Sequence, residues 1–174
     1  MVDLNESLVE QVKRRMQYIK EHQTELKPWT VTVSVKKEDG FLSSASRQGS
    51  DLVWYSDESK DRGGTGKGPS PLSYFMSSLG FCQMVHYVEH CSVENLKLDS
   101  LDIKVEGKVS PQKPVRFTDV TYEARIRSGE SDERVKELAR MAAEDCYVTN
   151  TLKRSCNVNG IIFHNGKKID EHHH

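Results

Sequence analysis

Hydrophobic residues recur at helical spacing in three stretches of the chain, which predicts three helices. The first covers about residues 5–26, ends before Pro28 and is amphipathic, with apolar positions at Leu8, Val12, Met16 and Ile19. The second runs from Pro71 to about His90; it is apolar on most sides, so it is predicted to lie buried at the centre of the protein. The third begins at the capping sequence Ser131-Asp132-Glu133 and is predicted to run to about Tyr147.

Alternating apolar and polar residues between these helices predict β-strands. The Asp39-Gly40 pair is a hairpin signal, and Ser110-Pro111-Gln112-Lys113-Pro114 is typical of a loop between two long antiparallel strands. The order of elements predicts an α+β protein in one domain, with helices against one face of antiparallel sheet. The candidate strands cover residues 29–35, 41–45, 52–55, 98–109, 115–127 and 157–163.

A glycine-rich segment, residues 61–68, precedes the second helix. It does not match the Walker phosphate-binding pattern, because Gly66-Lys67 is followed by Gly68 rather than by Ser or Thr. The segment is therefore interpreted as a flexible lid or connector. Ser70 is predicted to cap the helix that follows, and Pro71 suits the first helical position because its missing N–H costs nothing there.

Charge and composition exclude several classes of protein. The chain has 174 residues and a formal net charge of -1, which argues against a nucleic-acid-binding surface. It contains no apolar run of membrane-spanning length, and its first residues lack the features of a signal peptide. We therefore expect a cytoplasmic protein that binds neither nucleic acid nor membrane and whose cysteines are mostly reduced.

The spacing of the four cysteines argues against a structural metal site. Cys82-x8-Cys91 and Cys146-x9-Cys156 contain no C-x-x-C pair, so neither a zinc ribbon nor a thioredoxin motif fits. Cys82, His86 and His90 share one helix face, but ligands strung over two turns span about 12 Å and cannot converge on one ion. No metal site and no cofactor are predicted. His86 is interpreted either as a core histidine or as a proton donor or acceptor near Cys82.

Cys82 and Cys146 are the candidate reactive residues, and each has a simpler interpretation as a small buried apolar residue. Reactivity requires a thiolate, and apolar burial disfavours the ionised form. The start of the second helix is three turns from Cys82, too far for its dipole to help, so a nearby cation would be needed. Arg47, Arg62 and Lys67 precede that helix, and spacing places none of them beside Cys82.

Two motifs resemble the OsmC and organic hydroperoxide resistance family. They are the Gly-x-Ser-Pro helix start with the run Ser77-Ser78-Leu79-Gly80 before Cys82, and the later Cys146-x-Val148-x-Asn150-Thr151-Leu152. The resemblance covers roughly residues 30–165. It divides the chain into an N-terminal helical extension, 1–28, and an OsmC-like domain, 29–170, followed by what resembles a purification-tag remnant, 171–174.

The resemblance implies an intertwined homodimer, with strongly curved antiparallel sheets around buried central helices. It also implies a thiol-dependent peroxidase in which Cys82 attacks a small organic hydroperoxide and becomes a sulfenic acid. Cys146 would then resolve that acid to a disulfide, which an external dithiol reductant must reduce.

The sequence departs from the family pattern at the residues that activate the thiol. Where family peroxidases usually carry a glutamate after the helix-starting proline, this chain has Leu72. The matching N-terminal stretch lacks the partner arginine, and Arg47 is the nearest substitute. Two alternatives therefore stay open: an OsmC-fold protein that binds a small apolar ligand at the dimer cleft, and a thiol redox sensor without turnover.

Overall fold

The computed structural model describes residues 6–154 in full and the backbone of 159–164 and 167–173. Cys156 and the predicted turn at Asn165-Gly166 lie outside the described residues. The helices are α1 (Glu6–Glu21), α2 (Pro71–Glu94), α3 (Asp132–Asp145) and α4 (Tyr147–Lys153). The strands are β1 (Val33–Lys37), β2 (Ser43–Arg47), β3 (Val53–Ser56), β4 (Ser100–Ser110), β5 (Arg116–Arg127), β6 (Asn159–His164) and β7 (Lys167–His173).

All of these strands pair antiparallel, in three small sheets ordered β1-β2-β3, β4-β5 and β6-β7. The Asp39-Gly40 hairpin is confirmed: Leu42 N–H donates to the Asp39 carbonyl at 2.7 Å, and Gly40 has a φ of 53°. The predicted long strand pair is also confirmed as β4 and β5, with a register shift at Lys108/Val109. The α+β class predicted from the sequence is therefore confirmed. The last sheet extends the prediction, because β7 includes Glu171–His173 of the segment interpreted as a tag remnant.

The hydrophobic core lies between α2, α3 and the β4-β5 sheet. Its buried residues are Tyr87, Cys91, Leu96, Leu98, Leu138 and Ala142. The β4-β5 sheet contributes one face, through Leu101, Ile103, Ala124 and Ile126. No helix in the part of the chain that the structure describes has the length and hydropathy needed to span a bilayer.

The start of α2 is as predicted. Ser70 has extended backbone and accepts a hydrogen bond from the Ser73 N–H, while Pro71 occupies the first turn. The helix ends one turn later than expected, at Glu94, because Asn95 takes the left-handed conformation and its N–H bonds the Cys91 carbonyl. Cys82, His86 and His90 therefore all lie on one continuous helix.

The central helix is buried on most sides only in its last turns, where His86, Tyr87 and residues 89–92 are buried, so the expectation holds for that half and not for the first half. Its C-terminal half packs in the core, but Phe81 is 70% exposed and Val85 53% exposed. Leu72 and Phe75 are exposed as well. Within the described residues, the β1-β2-β3 sheet does not cover this face, so one protomer leaves an apolar helix surface in contact with solvent.

The glycine-rich segment is held in place and is not a flexible lid, which corrects the sequence interpretation. The buried Asp57 carboxylate accepts hydrogen bonds from the Thr65 hydroxyl at 2.6 Å, the Thr65 N–H at 2.9 Å and the Lys67 N–H at 3.2 Å. The chain passes so close to itself that a Cβ at Gly64 would lie 1.9 Å from the Glu58 carbonyl oxygen. Glycine is required here for close backbone approach, and the clamped loop fixes the entry to α2.

The third helix is shorter than predicted. It begins, as expected, after the Ser131 cap, but it ends at Asp145 instead of continuing to about Tyr147. Cys146 has φ -70° and ψ 110°, which breaks the helix, and α4 begins at the next residue. The corner places Cys146 at the N-cap of α4, where its Sγ accepts the Thr149 N–H at 3.4 Å.

Candidate active site

Cys82 and Cys146 come together in the folded protein. Cys82 lies on α2 and Cys146 at the corner between α3 and α4, yet the two thiols are close enough for Cys146 to raise the pKa of Cys82. Cys146 is fully buried and Cys82 is partly buried. No disulfide joins them in this structure. The proximity that the sequence suggested for this pair is thus present.

The first turn of α4 supplies backbone donors to both sulfurs. The Thr149 N–H donates to Cys146 Sγ, and the backbone N–H groups of Val148 and Tyr147 lie near enough to the Cys82 sulfur to lower its pKa. This arrangement depends on the break at Cys146, because a continuous helix would direct these N–H groups at the carbonyls of the preceding turn. The corner that the sequence analysis missed therefore builds the donor side of the thiol pair.

The electrostatics of the site favour the neutral thiol. Burial raises the pKa of Cys82 and the Cys146 side chain raises it further, while the N–H groups of Val148 and Tyr147 partly offset this. Among the described residues, none of the groups that shift the pKa of Cys82 is cationic. The thiolate is therefore a small minority at neutral pH in the single chain.

The positions of the candidate activating residues agree with this picture. Arg47 lies at the exposed end of β2, paired with Val33 of β1, and does not contribute to the pKa shift of Cys82. Leu72, at the family's glutamate position, is more than half exposed on the first turn of α2. The role proposed for Arg47 stays a prediction.

The two histidines that follow Cys82 on α2 lie beside different carboxylates. His86 Nδ1 lies 2.8 Å from Glu89 Oε2, and His90 Nε2 lies 2.9 Å from Asp145 Oδ2. His86 also contacts the Tyr147 ring, at 5.8 Å between ring centroids. Of the two interpretations left open for His86, these contacts favour a core histidine with a charged partner.

Sequence reasoning missed two buried polar residues beside the thiols. Gln83 follows Cys82 and is fully buried, and its Nε2 donates to the Thr149 hydroxyl at 2.8 Å. The signals were a glutamine inside an otherwise apolar helix stretch and a hydroxyl residue three positions after a cysteine. Neither signal identifies its partner, because the two residues are 66 positions apart.

A cavity of about 490 Å³ opens beside this cluster, between α2, β5 and α4. Phe75 and Phe117 stack at its wall, with ring centroids 5.3 Å apart. The lining is mainly apolar, with Leu79, Tyr122 and Leu152, and Lys153 at its edge. Thr149 belongs to the lining as well, so the cavity reaches the residue that bonds both Gln83 and Cys146.

The fold is shared with solved structures of low sequence identity. An OsmC like protein from Mycoplasma pneumoniae superposes with a TM-score of 0.61 at 20% identity, covering 74% of this chain and 89% of that one. An organic hydroperoxide resistance protein OsmC from Legionella pneumophila gives 0.57 at 18%, covering 74% and 92%. An organic hydroperoxide resistance protein from Elizabethkingia anophelis gives 0.58 at 15%, covering 74% and 91%. A search of curated proteins finds no match.

The family model described as OsmC-like protein matches residues 64–159. That interval is more than half of the 174-residue chain, and it contains the clamped loop end, both cysteines and the strand pair between them. The sequence match and the shared fold lead to one conclusion: this chain belongs to the OsmC-like protein family.

Proposed function

We propose that this protein is a thiol-dependent peroxidase that reduces small organic hydroperoxides through Cys82 and Cys146. The observation that carries the proposal is the proximity of the two thiols, which are close enough for Cys146 to raise the pKa of Cys82. The apolar cavity beside Thr149 supports an organic substrate, because its phenylalanine and leucine walls would bind a hydrocarbon group better than water or hydrogen peroxide. The two hydroperoxide resistance proteins that share the fold support the same class of substrate.

The proposed cycle has three balanced steps. The Cys82 thiolate attacks the distal oxygen of the hydroperoxide; the O–O bond breaks, the alkoxide leaves and takes up a proton, and Cys82 becomes a sulfenic acid. The Cys146 sulfur then attacks the Cys82 sulfur, which forms the disulfide and releases water. An external dithiol reduces this disulfide by two thiol–disulfide exchanges and is itself oxidised.

Activation of Cys82 in this cycle requires a positive charge, and no cation is among the causes that shift the pKa of Cys82 in the part of the chain that the structure describes. The partially exposed central helix, with Phe81 and Val85 in contact with solvent, supports a homodimer in which a second copy covers this face. A second copy could bring a cation such as Arg47 to the thiol. A cytoplasmic location, where dithiol reductants are available, belongs to the same proposal.

A second candidate function is favoured by the raised pKa of Cys82. A protein whose thiol stays protonated would bind a small apolar ligand without turning it over. The ligand would bind at one of two sites. One is a groove of about 400 Å³ along the exposed helix face, lined by Met76, Phe81 and Met84. The other is the cavity at Phe117. A redox sensor would use the same thiols without a catalytic cycle.

One assay separates these functions. Consumption of cumene hydroperoxide is followed with dithiothreitol as reductant, for the wild type, Cys82→Ser and Cys146→Ser, with Cys91→Ser as the matched control. A peroxidase loses all activity with Cys82→Ser and loses most turnover with Cys146→Ser, while Cys91→Ser stays active because Cys91 lies in the core. Equal rates in all four proteins would refute the peroxidase.

A redox sensor gives a different result in the same experiment. It forms the Cys82–Cys146 disulfide after one equivalent of hydroperoxide, but its reduction by dithiol is too slow to sustain turnover. A ligand-binding protein forms no disulfide and shows saturable binding of an apolar probe.

A further inference from the structure

Gln83 and Thr149 form a buried hydrogen-bonded link between the helix that carries Cys82 and the turn that carries Cys146. Gln83 Nε2 donates to Thr149 Oγ1 at 2.8 Å, and the Thr149 N–H donates to Cys146 Sγ at 3.4 Å. Gln83 is fully buried and Thr149 is 8% exposed. The link therefore joins Gln83, which follows Cys82 in the sequence, to Thr149, whose N–H bonds the Cys146 sulfur.

The position of α4 depends on contacts of this kind. A helix of seven residues is too short to be stable alone, so its placement is set by what it packs against. The Asn150 side chain ties α4 back to the Glu144 carbonyl at 2.6 Å, which fixes it to α3. The Gln83–Thr149 bond fixes the same turn to α2, and the two ties together set the separation of the sulfurs.

Packing alone does not account for a glutamine at position 83. The Gln83 Oε1 atom is buried without a hydrogen-bond partner, which costs free energy that an apolar side chain of similar size would avoid. The other polar atom of the amide, Nε2, does have a partner, because it donates to Thr149. The hydrogen bond that Gln83 does make therefore stabilises the turn that holds Cys146.

We propose that Gln83 and Thr149 are positioning residues for disulfide formation. They hold Cys146 against Cys82 so that its sulfur reaches the sulfenic acid in the geometry that a disulfide requires. This inference rests on the proposed function for its place in a peroxidase cycle. Gln83 is not required for the first step, because its side chain neither lines the cavity nor is among the groups that shift the pKa of Cys82.

The test separates the two chemical steps in Thr149→Val, which removes the hydroxyl but keeps the shape and the backbone N–H. Reduced protein is mixed with one equivalent of cumene hydroperoxide, and dimedone traps the Cys82 sulfenic acid while mass spectrometry follows the loss of two hydrogens on disulfide formation. Thr149→Val is expected to form the disulfide about tenfold more slowly, the effect of losing one buried hydrogen bond, and to accumulate the dimedone adduct. Gln83→Met changes a residue that is not among those lining the cavity, and it is expected to leave the rate of peroxide consumption in the first turnover at the wild-type value.

Thr149→Ser keeps the hydroxyl and is expected to restore the wild-type rate of disulfide formation. Thr151→Val makes the same change on the exposed side of α4 and serves as the control. Gln83→Met breaks the link from its other end, and combining it with Thr149→Val should slow the step no further than either change alone. If Thr149→Val does not fold, Gln83→Met provides the same comparison. Wild-type rates of disulfide formation in both variants would overturn the proposal.

A second readout does not require peroxidase activity. The Cys82–Cys146 disulfide is equilibrated with reduced and oxidised glutathione, and Thr149→Val is expected to shift the equilibrium constant about tenfold toward the dithiol. If the wild type forms no sulfenic acid with hydroperoxide but this shift is present, the proposed function fails and the positioning role stands. An unchanged equilibrium constant together with an unchanged rate would eliminate the positioning role.

Discussion

Arg15 of the first helix donates a hydrogen bond to the carboxylate of Glu89 on the central helix. The Glu89 side chain is 6% exposed and also faces His86, so it is a buried charge whose cationic partner comes from the N-terminal extension. A second contact, from Lys13 Nζ to Asn95 Oδ1 at 2.7 Å, fastens α1 to the end of the same helix. The extension is therefore integrated into the fold, at the helix that carries Cys82.

Arg15→Ala should destabilise the protein, because it removes the arginine that pairs with the buried Glu89 carboxylate. The expected loss is about 1–3 kcal/mol in the free energy of unfolding, since Arg15 is itself more than half exposed. Arg14→Ala is the matched control: Arg14 pairs with Glu10 in solvent, and its loss should cost less than about 0.5 kcal/mol. Urea unfolding followed by circular dichroism measures both. Equal losses of unfolding free energy in the two variants would contradict the assignment of Arg15 as the partner of the buried Glu89 carboxylate.

Asp57→Asn should loosen the glycine-rich loop. Asp57 Oδ2 accepts from Thr65 and Lys67, and Oδ1 accepts from the Glu58 N–H at 2.8 Å. An asparagine replaces one of these acceptor oxygens by a donor group, so a fall in melting temperature of several degrees is expected. Asp61→Asn, at an exposed site of the same loop, should leave the melting temperature nearly unchanged.

The difference between wild type and Asp57→Asn should depend on pH. Hydrogen bonds from Thr65 and Lys67 lower the pKa of Asp57 to about 2, below the value near 4 of an unfolded aspartate. A lowered carboxyl pKa stabilises the fold above the unfolded pKa, and this contribution is lost as the pH falls from about 4 toward about 2. Thermal melts across that interval should show the two proteins converging in acid. A constant difference would mean that the charge of Asp57 contributes nothing.

Alkylation of Cys82 should require high pH. Burial raises the pKa of this thiol, so the rate of reaction with iodoacetamide should reach its midpoint above about 8.5, the value of a free thiol. Cys146→Ala removes a neighbour that also raises the pKa, and its midpoint should move down. Cys91 is the internal reference. Burial raises its pKa to about 11, so it should react only at higher pH than Cys82. Peptide mass spectrometry resolves the sites; a Cys82 midpoint below that of a free thiol would indicate an activating cation.

Phe81→Glu should convert a homodimer to a monomer. Phe81 is exposed in the single chain, so the substitution leaves the protomer core intact but would place a charge in the interface. Phe81→Leu keeps an apolar side chain there and should preserve the dimer. Size-exclusion chromatography with light scattering gives the mass of each protein. A wild-type monomer, or a dimer that survives Phe81→Glu, would count against this interface.

The residues that make the candidate site were only partly predictable. Cys82 and Cys146 stood out because each lies in an apolar segment with a clear start, and the resemblance to the OsmC family assigned them roles. Gln83, Thr149 and Glu89 were missed, because a buried polar residue is recognised by its partner rather than by its own position. The break at Cys146 was missed for a similar reason, since the helix period continues to that residue and its backbone conformation is set by the corner.

By itself the sequence determined the local structure: the start of α2 at Ser70-Pro71, the start of α3 at Ser131 and the long β4-β5 pair. These features depend on capping and on apolar periodicity, which act within a few residues. The tertiary structure alone decided that the two thiols meet, that the described residues that shift the pKa of Cys82 include no cation, and that Arg15 reaches Glu89 across 74 residues. Those outcomes depend on burial and on contacts between distant segments, which no local pattern specifies.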